Sequence, residues 1–67
     1  MTTHKIILEH HGYGFTVTLL VREARYRHRW LVRTYRDGPS STTWYETARD
    51  SAAAWLDAIT RMEENAT

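Results

Sequence analysis

The side chains able to do chemistry in this sequence are arginine, histidine and aromatic. Arg22, Arg25, Arg27, Arg29, Arg33 and Arg36 crowd into the segment 22–36 with no lysine among them. Arginine carries a planar fork of donors that meets carboxylate or phosphate oxygens two at a time and stacks on aromatic rings. Against the single Glu23, these six give the segment a net +5, whereas 1–21 is neutral and 37–67 carries −4, so the whole chain is only +1. A basic centre joined to an acidic end attracts an anionic partner while the molecule stays nearly neutral.

The histidines point to nothing comparable. His10 and His11 are adjacent, so on a strand they face opposite sides and cannot share a metal. With no cysteine, there is no thiolate site and no disulfide. Neither a metal nor a cofactor is expected. The sequence has no glycine-rich phosphate loop, no His-Glu-x-x-His and no Gly-x-Ser-x-Gly. Ser40, Ser41 and Ser51 have no His–acid pair near them in sequence. One group of residues has the composition of a catalytic arrangement. Metal-independent ribonucleases use Arg for the phosphate and His or Tyr for protons, and Arg27, His28, Arg29 and Tyr35 imitate that set. Strand alternation puts His28 on the face opposite Arg27 and Arg29, which argues against it. The chain is expected not to be an enzyme.

The elements that must position these residues follow from periodicity. A first strand is expected over about 4–10, around Ile6-Ile7-Leu8, with a turn at His11-Gly12-Tyr13-Gly14. Residues 15–23 alternate with period two, Phe15, Val17, Leu19 and Val21 on one side and Thr16, Thr18, Leu20 and Arg22 on the other. A third strand covers about 26–36, Asp37-Gly38-Pro39-Ser40 is a turn, and 42–47 is a short fourth strand rich in Thr and aromatics. A helix follows over about 50–64, with Asp50 as N-cap or Thr47 as an alternative start. Ala52, Trp55, Leu56, Ile59 and Met62 form its apolar stripe, Asp57 pairs with Arg61, and fraying is expected from Glu63. The 67 residues make one α+β domain, an antiparallel meander of three to four strands with one C-terminal helix packed on one face. No run approaches the ~20 apolar residues of a membrane span. The start Met1-Thr2-Thr3-His4-Lys5 does not read as a signal peptide, and a cytoplasmic location is expected.

If Ala24-Arg25 is a two-residue hairpin loop, Val21 lies opposite His28, Leu19 opposite Trp30 and Val17 opposite Val32. Phe15, Val17, Leu19, Trp30, Val32, Trp55, Leu56 and Ile59 then share one core. On the open face, Arg22 meets Arg27, Leu20 meets Arg29, Thr18 meets Leu31 and Thr16 meets Arg33, with Lys5, Ile7 and Glu9 added by the first strand and Tyr35 facing out. Trp44 is ambiguous, outward beside Arg33 after a four-residue turn and inward after a five-residue one, with the core favoured for a Trp. Like charges directly opposite destabilise a hairpin, so Arg22 facing Arg27 needs an explanation, of which an anionic partner is one. The plainer explanation is a solvated face, because arginine stems cover apolar neighbours and Glu9, Glu23 and Glu46 are available to pair.

Residues 13–64, with Arg27-His28-Arg29-Trp30, a strand ending at Thr47 and then Ala52-Ala53-Ala54-Trp55-Leu56, resemble the arm-type DNA-binding domains of tyrosine recombinases, which lay a three-stranded sheet in the major groove. The extra N-terminal strand departs from that pattern. In size and make-up the chain also resembles the anti-CRISPR class of small phage or mobile-element inhibitors. That resemblance implies a non-catalytic protein that docks on a host nucleoprotein complex, a CRISPR effector. The partner-binding residues expected are Arg22, Arg27, Arg29, Arg33, Leu20, Leu31, Tyr35 and Trp44. Direct DNA or RNA binding by the same face is the alternative, and a structural homodimer that buries the face is the third reading.

Overall fold

The computed structural model describes residues 3–65. In chain order it comprises β1 (Thr3–Gly12), β2 (Phe15–Glu23), β3 (His28–Tyr35), β4 (Ser41–Tyr45) and α1 (Ala48–Asn65). The strands form one open sheet in the order β1-β2-β3-β4, every neighbouring pair antiparallel. This is the α+β meander with a C-terminal helix that the periodicity predicts. β1 and β2 turn on Tyr13-Gly14, where Gly14 takes a φ of 79°, a left-handed conformation that costs glycine little. Gly12 lies against the Phe15 ring so closely that a Cβ would overlap it.

The central hairpin departs from the expected register. Val21 pairs with Trp30, Leu19 with Val32, Arg22 with Arg29 and Glu23 with His28. The loop is Ala24–Arg27, closed by the Ala24 N–H donating to the Arg27 carbonyl at 3.2 Å. A two-residue loop at Ala24-Arg25 would need positive φ, and among the described residues only glycines adopt it. Arg27 therefore belongs to the loop and not to a strand. Because the slip is by two residues, every side chain of β2 and β3 keeps its expected face.

The helix covers β2 and β3. Phe15, Val17, Leu19, Val32 and Ala58 are buried together, flanked by Trp30, Tyr45, Ala54, Trp55, Ile59 and Met62. The helix starts one turn earlier than an Asp50 cap implies. Thr47 is the cap, its Oγ1 accepting from the Asp50 N–H at 3.1 Å, and the helix runs on past Glu63 to Asn65. The Asp57–Arg61 pair forms at 3.0 Å, but it is solvated and adds little. The inward stripe is Ser51, Ala54, Trp55, Ala58, Ile59 and Met62, rotated from the one predicted, and Leu56 is 60% exposed. Two features set that rotation. The Trp55 indole N–H donates to the Val17 carbonyl at 3.0 Å, and the small Ser51, Ala54 and Ala58 let the helix backbone approach the sheet. Ser51, fully buried, satisfies its hydroxyl on the Ala48 carbonyl at 2.7 Å.

This packing sets distinct expectations for urea denaturation. Leu56→Ala should change stability by less than about 0.5 kcal/mol, as for a solvated position. Ala58→Leu should cost about 1–3 kcal/mol by overpacking the seam, and Gly12→Ala about the same by displacing Phe15.

Candidate functional site

The sheet face away from the helix is built in rows that run across the strands. The register places Ile6, Leu20, Leu31 and Trp44 side by side, one from each strand. On one side of this row lie His4, Arg22 and Arg29, with Glu46 just past β4. On the other lie Glu9, Thr18, Arg33 and Thr42, then His11, Thr16 and Tyr35. Arg22, Arg29, Arg33, Leu20, Leu31 and Tyr35 thus share this face, as expected, Trp44 joins them, and Arg27 sits at its margin in the hairpin loop.

Trp44 corrects the expectation of a core Trp. Six residues, Tyr35 to Ser40, separate the last β3–β4 pair, Thr34 and Ser41. This even-numbered connection turns Trp44 outward, beside Leu31 rather than Arg33. Its ring receives two guanidinium groups, Arg29 at 4.9 Å and Arg22 at 5.9 Å from the centroid. β2 and β4 are not neighbours, and their axes lie roughly 9–10 Å apart at the usual strand spacing. For Arg22 to come this close to Trp44, the two side chains must between them bridge the space over β3, beside Leu31. This explains why Leu31 is 1% and Leu20 6% exposed on a face with no helix. The two leucines thus support the surface from beneath and are not available to touch a partner, contrary to their expected role as contacts.

The expected opposition of Arg22 and Arg27 is replaced by Arg22 directly opposite Arg29. The repulsion between them is offset by the shared ring, since each cation is drawn to its π face. Glu46 takes up part of the charge. It pairs with Arg27, and its Oε1 lies 3.3 Å from Arg29 Nε. That Nε is buried and makes no hydrogen bond, so the approach to Glu46 satisfies its charge but not its N–H. Arg22 and Arg33 have no ion-pair partner among the described residues, and the hairpin tip adds Arg25 stacked 5.2 Å from the exposed Tyr26 ring. Arg25 and Tyr26 were not predicted as site residues. The signal that could have found them is that Ala24-Arg25 holds neither Gly nor Asn, residues a two-residue hairpin loop favours.

The first strand differs most from expectation. β1 slips register between Ile6 and Leu8, a bulge that reverses the alternation. His4, Ile6, Glu9 and His11 pair with open-face residues of β2. Lys5, expected there, pairs with Val21 on the helix side and bonds Glu23 at 3.1 Å, and Ile7 is the extra residue at the slip. His11 contacts Glu9 and lies 3.4 Å from the Thr16 hydroxyl. This order of hydroxyl, imidazole and carboxylate is exposed to solvent and is no shielded catalytic centre. His28 pairs with Glu23, away from the arginine face, so the ribonuclease-like set does not assemble. Among the described residues no cluster can hold a metal ion, and no helix is long and apolar enough to cross a membrane.

Since Arg29 stacks on Trp44 while Arg27 reaches only an exposed carboxylate, their losses should differ. Arg27→Ala should shift stability by no more than about 0.5 kcal/mol. Arg29→Ala should cost about 1 kcal/mol and change the Trp44 fluorescence. Equal effects of the two in thermal unfolding would contradict the stacked arrangement.

Compared with known protein families, curated proteins and solved structures, the chain matches none of them.

Proposed function

We propose that the protein is a non-catalytic binding protein that docks its open sheet face on an anionic surface of a host nucleoprotein complex, as an inhibitor of the anti-CRISPR kind. The observation that carries this reading is Trp44, 39% exposed, with Arg22 and Arg29 drawn to its ring and Arg33 on the same face. The ring and the two leucines beneath it limit how far the guanidinium groups wander. Their forks are then partly ordered before a carboxylate or phosphate arrives, and less entropy is lost on binding. A flat aromatic–arginine surface is also what interface centres are rich in. The net charge of +1 favours a mixed protein and nucleic-acid target over free nucleic acid, since dedicated nucleic-acid binders are more basic.

Direct binding of single-stranded nucleic acid is the second reading. It is favoured by the exposure of Trp44, whose ring offers a stacking platform for a base beside cationic side chains that meet phosphate.

The test compares wild type with the variant Arg22→Ala/Arg29→Ala/Arg33→Ala. Affinity for a purified CRISPR effector complex, a short duplex and a single strand is measured at low and physiological salt. The proposal expects binding to the effector with a shallow salt slope, lost in the triple variant while the fold persists. A steep fall with log salt on free nucleic acid would favour the second reading. Equal binding by the triple variant, or no binding to any of the three, would overturn both.

A further inference from the structure

β1 carries the apolar run Ile6-Ile7-Leu8, none of which joins the buried core. The three side chains are 60%, 48% and 42% exposed. The strand is ten residues long and lies at the free edge of the sheet. An exposed, apolar edge presents unpaired backbone donors and acceptors beside uncovered hydrocarbon, a template for pairing with another strand where charge, bulges or a covering element do not blunt it. The other edge, β4, has the sequence Ser-Thr-Thr-Trp-Tyr and lacks such a run.

We infer that β1 pairs antiparallel with β1 of a second copy of this chain, making a continuous eight-stranded sheet. The reason to choose a second copy lies in the strand's own self-complementarity. In an antiparallel pair related by a two-fold axis, side chains must keep their faces, and a residue on the axis meets itself. The bulge at Ile7 puts His4, Ile6 and Glu9 on the open face and Lys5 and Leu8 on the helix side. One symmetric register that respects this sets Ile6 opposite Ile6 of the second copy, with Ile7 bulged on each strand. Lys5 then meets Leu8, and His4 meets Glu9, twice over. Both matches are favourable. An imidazole N–H faces a carboxylate, and the alkyl stem of Lys5 covers Leu8 while its ammonium stays on its own Glu23. The same register continues the apolar row Ile6–Leu20–Leu31–Trp44 into its symmetry mate and brings the two arginine faces onto one side of the joined sheet. A chain of 67 residues is also of the size at which oligomerisation commonly supplements a small core. The inference does not depend on what the open face binds.

The absence of cysteine makes the test direct. Sedimentation velocity over a range of concentrations should show a dimer for wild type and for Arg22→Ala/Arg29→Ala/Arg33→Ala. Ile6→Lys and Ile7→Lys, both at exposed positions, should keep the circular dichroism spectrum and weaken association by at least about tenfold. Ile6→Cys should form a disulfide-linked dimer under mild oxidation, because directly opposed residues have Cα atoms about 4.5–5.5 Å apart, within disulfide range. Thr43→Cys, on β4, should not. Wild type that stays monomeric at all concentrations, association indifferent to the Lys variants, or preferential cross-linking through Thr43→Cys would overturn the inference.

Discussion

One helix cannot cover four strands. An α-helix with its side chains is about 10–12 Å across, and at the usual spacing the outer strands of such a sheet lie about 14–15 Å apart, with side chains spreading beyond. Here α1 lies over β2 and β3, held in rotation by the Trp55 indole on the Val17 carbonyl. β2 consequently becomes the most buried element, with Val17 and Leu19 under the helix and Thr18 and Leu20 buried on the other face. β1 and β4 are left with little cover, and the surfaces proposed to bind a partner or a second copy lie on what the helix cannot reach.

The open face makes good part of that deficit without a second layer. Trp44, with Arg22 and Arg29, bridges the space over β3 and covers Leu31 and Leu20. Aromatic burial and cation–π attraction stabilise the strand pair, while two like charges stand opposite each other in register and oppose it. An anion lying between the guanidinium groups would remove the unfavourable term and keep the favourable ones. The feature that makes the face electrostatically tense in isolation is therefore the one on which the proposed docking of an anionic partner rests.

The two proposals are physically compatible because they use different parts of β1 and β3–β4. The edge is formed by backbone groups and by Ile6, Ile7 and Leu8, while the docking face centres on Trp44 at the far side of the sheet. Joining two copies through β1 would leave both arginine platforms uncovered and pointing the same way, so a repetitive anionic target would be met by two linked sites.

Much of the architecture was legible in residue order. Period-two alternation in 15–23 and a helical stripe around Trp55 are local consequences of how side chains project from each backbone, so strand, helix and face assignments for β2 and β3 could be read directly. The clustering of Arg22, Arg29 and Arg33 on one face with Tyr35 followed from the same parity, and it survived a hairpin register that was wrong by two residues because two is the period. What the sequence could not determine were the features that depend on one residue more or fewer, or on the angle between elements. The length of the Ala24–Arg27 loop moved Arg27 off the strand. The bulge at Ile7 exchanged the faces of Lys5 and Ile6. The parity of the β3–β4 connection turned Trp44 outward, and the rotation of α1 put Ala58 in the seam and Leu56 in water. Those choices are made by competition between whole packings, in which a turn, a bulge and a ring must fit at once, and no local pattern of residues records which packing wins.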